Sequence, residues 1–106
     1  MLNTFEVQTS EHTELVDITH QVRKLVKSTG IMDGICLIYV PHTTAGITIN
    51  ENADPSVKSD ILMETAKFVP ELDTGYRHSE GNSAGHIKST LFGSSSITFS
   101  KYSIAS

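Results

Sequence analysis

Residues 34–57 read GICLIYVPHTTAGITINENADPSV, and the succession of patterns within them sets the fold class. The first seven are nearly unbroken apolar, as in a strand covered on both faces. Residues 45–50, AGITIN, alternate instead, which places Ile47 and Ile49 inward and Thr48 and Asn50 on the opposite face. Asp54-Pro55 then reads as a helix cap followed by proline at the first helical position. Val57, Ile61, Leu62, Thr65, Phe68 and Val69 continue at helical spacing as far as Pro70, so a helix is predicted over 55–69.

Working outward, Phe5 and Val7 alternate with Thr4, Glu6 and Gln8, and Leu15-Val16-Asp17-Ile18 follows a polar turn, which together predict a first hairpin. Ile18, Val22, Leu25 and Val26 recur at helical spacing. Asp17 or Thr19 can cap that helix, and Gly30 can take the left-handed conformation that stops it. Downstream, the polar loop PELDTGYRHSEGN leads to SAGHIKSTLFG, in which Ala84, Ile87 and Leu91 share a helical face. Gly85 inside that pattern costs about 1 kcal/mol of helix propensity relative to alanine. SITFS, with Ile97 and Phe99 alternating, supplies a last strand. Strands and helices are interspersed without regular βαβ units, so the class is α+β, a single domain with a mixed β-sheet packed against helices.

Composition bounds the function. A chain of 106 residues, 38% hydrophobic and 19% charged, is enough for one core and no second domain. The net charge is −4, and the eight Lys and Arg are scattered, so the footprint of a nucleic-acid binder is absent. The single cysteine, Cys36, lies within GICLIYV and reads as a small buried hydrophobe. MLNTFEVQTS has neither the basic nor the apolar segment of a secretion signal, and no run reaches the ~18 apolar residues of a membrane span. These features predict a soluble, cytoplasmic protein with no membrane partner.

Three of the five histidines fall at element ends in polar company: His42 after the apolar strand, His78 in the long loop and His86 near the start of the third helix. Three imidazoles on rigid elements can converge on one zinc ion and leave a fourth position open. The same spacing also suits ordinary polar residues, and no HExxH or CxxC pattern reinforces it. Glu51 and Glu80 each lie beside a histidine-bearing segment and could act as acid or base. Asp54 and Asn82 could be helix caps and Thr43 and Thr44 turn residues. Free N–H groups at the Asn82-Ser83-Ala84-Gly85 turn, with Lys88 one turn on, could hold a phosphate. His12 and His20 read as solvated.

PHTTAGITINENADPSV together with YRHSEGNSAGHIKSTLFGSS closely resembles the YjbQ family, also called UPF0047 or the secondary thiamine-phosphate synthase family. The likeness runs from about Thr4 to Ser96 and includes ITHQVRKLVKSTGI. It implies a compact α+β domain assembling as a homotrimer and a divalent-metal site, taken as zinc, built from His42, His78 and His86. It also implies a pocket of Thr43, Thr44, Asn50, Glu51, Asn52, Asp54, Glu80, Asn82 and Lys88. Of these, Glu51, Glu80 and Asp54 are the expected catalytic carboxylates, and Thr43, Thr44, Asn50, Asn52, Asn82 and Lys88 the expected substrate contacts. The implied substrates are small phosphorylated metabolites, with a weak thiamine-phosphate synthase activity joining a pyrimidine pyrophosphate to a thiazole phosphate. The alternative is a trimeric metal- or ligand-binding module without turnover. After about residue 96 this chain departs from the pattern, which continues through further strands with a Gly-x-Trp-Gln motif. Loss or alteration of that part is expected to leave a sheet edge unpaired.

Overall fold

The structure is a computed structural model that describes residues 2–98. In chain order the elements are α1 (Thr19–Ser28), β1 (Cys36–Tyr39), α2 (Pro55–Phe68), α3 (Ser83–Phe92) and β2 (Ser95–Thr98). The α+β class and all three helices follow the sequence reading.

Each helix is bounded by local chemistry. Ahead of α1, the Asp17 carboxylate accepts the Thr19 N–H at 2.9 Å. At its far end Gly30 adopts φ +73° and its N–H returns to the Lys27 carbonyl. Helix α2 opens with Asp54 accepting the Ser56 N–H at 2.9 Å and with Pro55 at the position where a missing N–H costs nothing. Its last turn holds Thr65, whose hydroxyl is satisfied by the Ile61 carbonyl at 2.7 Å and is therefore buried without penalty.

β1 and β2 pair antiparallel, with Cys36 opposite Thr98, Leu37 opposite Ile97, Ile38 opposite Ser96 and Tyr39 opposite Ser95. A further bond from Val40 N–H to the Ser94 carbonyl, 2.7 Å, extends the pairing. Among the described residues this is the whole sheet. Three expectations change accordingly. The first hairpin is absent, since residues 2–18 form no strand. The apolar run around β1 is covered on one face rather than two: Cys36 and Ile38 are half-buried, while Leu37 and Tyr39 are 62% and 63% exposed. Two strands leave one sheet face with nothing against it, so an apolar run does not secure two-sided cover. Residues 45–50 likewise form no ladder, and Ile49 is 64% exposed although Ile47 is half-buried. Phe99 lies outside the described residues.

Among the described residues the buried apolar side chains are Val22 of α1, Val69 just past α2, and Ala84 in the first turn of α3. That core is thin. The Cα radius of gyration, 15.6 Å, exceeds the roughly 13 Å of a compact chain near this length. No helix among the described residues is long and apolar enough to cross a membrane.

The two capping aspartates make stability acid-sensitive. The Thr19 hydroxyl, then its N–H, hold the Asp17 carboxyl below the usual range, with help from the Lys58 charge and the Asn52 amide against a small opposing effect of burial. The Ser56 N–H, then its hydroxyl, do the same for Asp54. Both groups bind protons less readily folded than unfolded, so their contribution is present above the ordinary Asp value of about 3.9 and is lost as pH falls through the lowered folded values. A series of thermal melts against pH should show a falling acid arm below about pH 4. In the Asp17→Asn, Asp54→Asn double variant that arm should flatten, because asparagine still caps but does not titrate. An unchanged arm would show that other carboxyls govern acid unfolding.

Candidate active site around His42 and helix α3

The segment that follows β1 runs back along α3 and is fastened to it at several points. Ser89 Oγ donates to the Thr43 carbonyl at 2.5 Å, and the Ile47 N–H donates to the Gly93 carbonyl at 3.0 Å. Gly93 can present that carbonyl because it sits at φ +85°, where its own N–H closes the helix onto the Ser89 carbonyl. The approach is close enough to require Gly46: a Cβ there would lie 2.9 Å from the Gly93 oxygen and 3.1 Å from Phe92 Cβ. About two turns earlier, Gly85 faces Thr44, and a Cβ on it would sit 3.4 Å from Thr44 Cβ. The helix-weakening glycine noted in the sequence thus lies where the strand-exit segment crosses the helix.

Between these attachments lies an open groove of about 410 Å³ lined by His42, Thr43, Ala45, His86, Ser89, Thr90, Gly93 and Ser94. His42 Nδ1 receives the Thr44 N–H at 3.3 Å and meets the Thr44 hydroxyl at 3.1 Å, which orients the ring. The Thr90 hydroxyl donates to the His86 carbonyl at 2.8 Å, and the single Ser89 proton is shared between the Thr43 carbonyl and the more distant His86 carbonyl, 3.0 Å away. His78, from the 70–82 loop, places its ring edge-on against His86 with centroids 5.3 Å apart and planes at 88°. Glu80 stands beside it, Oε1 4.0 Å from His78 Nε2. The structure therefore brings His42, Thr43, Thr44, His78, Glu80 and His86 to one region, although the three rings do not surround a common point. Among the described residues no three His, Cys, Asp or Glu side chains are arranged to hold a metal ion.

The other expected site residues are engaged elsewhere. The Asn50 amide oxygen accepts the Glu51 N–H, the Asn52 amide donates to Asp17 at 2.6 Å, and Asp54 caps α2. None of Asn50, Glu51, Asn52 and Asp54 lines the groove. The expectation that both ends of the GITI segment share one pocket is therefore corrected: only the His42 end joins it, because the other end is spent on capping α2 and tying it to the residue ahead of α1. Asn82 precedes α3 with its Oδ1 buried and unpartnered among the described residues. Lys88 has a side chain only 16% exposed, its Nζ 4.0 Å from Glu71 Oε2.

Glu71 was not singled out in the sequence. It meets Lys88 through one oxygen and His12 Nε2 through the other, so His12 is paired as well as solvated. Its position directly after Pro70, opening the loop that carries His78, was the available signal.

The UPF0047 protein YjbQ-like family model matches residues 3–101. UPF0047 protein YugU of Bacillus subtilis is 51% identical over 98 residues, covering 90% of this chain and 72% of that protein. A UPF0047 protein of Methanocaldococcus jannaschii is 50% identical over 95 residues, covering 90% and 68%. Among solved structures, an uncharacterised conserved protein of the same family from Clostridium acetobutylicum superposes with TM-score 0.85 at 47% identity, over 90% of this chain and 73% of that one. A protein of unknown function from Sulfolobus solfataricus gives TM-score 0.82 at 35% identity, over 90% and 69%. With its His42, His78 and His86 segments inside the matched span, the chain belongs to the YjbQ-like UPF0047 family.

Proposed function

We propose that the chain is a cytoplasmic, homotrimeric, metal-assisted enzyme acting on small phosphorylated substrates, with the groove between His42 and α3 as its active site. The observation that carries the reading is the sharing of that groove by His42, Thr43 and His86, with His78 packed on His86. The reaction offered by the family resemblance is a secondary condensation of a pyrimidine pyrophosphate with a thiazole phosphate. In it the thiazole nitrogen forms the new C–N bond and pyrophosphate leaves with the electrons of the broken C–O bond.

Three neutral imidazoles suit zinc as donors, and His42, His78 and His86 are the residues that would hold it. An ion bound by both His78 and His86 has to replace their ring contact. Held by them, a metal would supply charge stabilisation to phosphate oxygens. Thr43 and Thr44 would position the substrate beside His42; Lys88 and the α3 start with Asn82, the expected phosphate contacts, lie outside the groove lining, and Lys88 would have to leave Glu71 to meet a phosphate there. None of the three expected carboxylates lines the groove, and Glu80, 4.0 Å from His78 Nε2, is the one whose neighbourhood supports a proton-transfer role.

A second reading, a ligand-binding module without turnover, draws on the groove hydroxyls. Ser89 and Thr90 commit their protons to carbonyl groups, which leaves neither as an activated nucleophile. Pyrophosphate release from the two precursors separates the readings. An enzyme should lose about a hundredfold in rate on His42→Ala or His86→Ala. Rates equal to those variants, combined with strong thermal stabilisation by a phosphorylated compound recovered unchanged, would establish the binding module instead. Elemental analysis of the purified chain against the triple His→Ala variant tests the metal separately. Less than about 0.1 metal per chain in both would remove it.

A further inference from the structure

We infer that a second groove, formed by the 71–83 segment, is a binding site for a small protonated nitrogen base of the imidazole or ring-bearing amine kind. This groove, about 350 Å³, is lined by Glu71, Leu72, Asp73, Thr74, Tyr76, His78, Gly81 and Ser83. Its size falls in the range of small-molecule sites. The two grooves meet at the histidine pair, since His86 lines the first and His78 the second. They differ in charge: the first has no carboxylate in its lining, and the second has two.

The chemistry of the ligand is indicated by what the chain itself places on Glu71. One oxygen receives the Nε2 of His12, an imidazole contributed from 59 residues away, and the other lies 4.0 Å from Lys88 Nζ. The His12 side chain is 75% exposed, so burial does not hold it there. The carboxylate selects a nitrogen donor, and His12 acts as its resident occupant. Asp73 uses Oδ1 for the Gly75 N–H at 2.7 Å, which leaves Oδ2 for a ligand. Tyr76 donates its hydroxyl to the Pro70 carbonyl at 2.9 Å, so its ring is held in place in the groove lining. Leu72, 82% exposed, supplies an apolar surface for the body of the ligand. The charged and titratable groups of the 71–83 segment are Glu71, Asp73, Tyr76, Arg77, His78 and Glu80, and His12 and Lys88 reach Glu71 from outside it. An anion would meet both lining carboxylates, whereas a ring-bearing cation meets the carboxylates, the Tyr76 ring and the leucine together.

The proposal goes beyond the phosphorylated-substrate reading and is tested without turnover, so either can fail alone. The probe is 4-methylimidazole, added to the whole 106-residue chain at about pH 6, below the ordinary imidazole value. Amide ¹H–¹⁵N shifts should gather at Thr74, Tyr76, Gly81 and Ser83. Glu71→Gln should weaken binding about tenfold, as expected for losing a charge-assisted hydrogen bond, and Asp73→Asn by a smaller factor. His12→Ala should tighten it about threefold by removing the resident competitor, an effect that a merely structural role for His12 would not produce. Shifts confined to the His42 groove, an affinity unchanged in Glu71→Gln, or no tightening in His12→Ala would each overturn the assignment.

Discussion

Gly46→Val should lower the unfolding free energy by about 3 kcal/mol, a large part of the 5–15 kcal/mol typical of a domain. The reason is the obstacle it meets. A Cβ at Gly46 would lie 2.9 Å from the Gly93 carbonyl oxygen, which is backbone and cannot swing aside as a flexible side chain could. Relief requires the 42–47 segment to move off α3, breaking the Ile47–Gly93 bond and opening the groove wall. Urea denaturation should show a lower midpoint with an unchanged slope, and hydrogen exchange at the Ile47 amide should accelerate. Gly85→Ala is the matched control. Its Cβ would meet Thr44 at 3.4 Å, the close end of ordinary contact, while the helix gains up to about 1 kcal/mol of propensity. Equal losses in both variants would mean that the Gly46 approach is not specially tight.

Ala84→Asp should also cost about 3 kcal/mol, and here two effects oppose each other. An acidic residue in the first turn of a helix normally gains about 0.3–1 kcal/mol from the helix dipole. Ala84, however, is 0% exposed, and an unpaired carboxylate there loses several kcal/mol of hydration. Burial therefore outweighs the dipole. The folded carboxyl should have a raised pKa, so its penalty should grow as pH rises above the unfolded value and shrink towards pH ~4, opposite in sign to the capping aspartates. Ala84→Ser, which adds a polar group without charge, should lose less. Stability curves against pH for the two variants check this, and a pH-independent loss in Ala84→Asp would point to steric crowding instead.

How much of this was legible depends on how local each cause is. The three helices were, because Asp17 and Gly30 at α1, Asp54 and Pro55 at α2 and Gly93 at the end of α3 act on their own neighbours within a few residues. The structure sets His78 edge-on against His86 and puts His42 on the same groove as His86, and nothing in their spacing states that a loop histidine will lie against a helical one. The motif reading placed Asn50, Asn52 and Asp54 in the pocket, yet in the fold their side chains are committed to local partners and to Asp17.

The sequence by itself determined the α+β class, the extents of α1, α2 and α3, and the family to which the chain belongs. Only the tertiary structure decided that GICLIYV has one open face, that Phe5, Val7 and residues 15–18 form no hairpin, and that Gly46 lies against Gly93. It alone decided that Glu71 links His12 to Lys88. The physical reason is range. Capping and helical periodicity are settled within a few residues of chain, whereas strand cover, close backbone approach and ion pairing depend on segments tens of residues apart whose meeting no local pattern encodes.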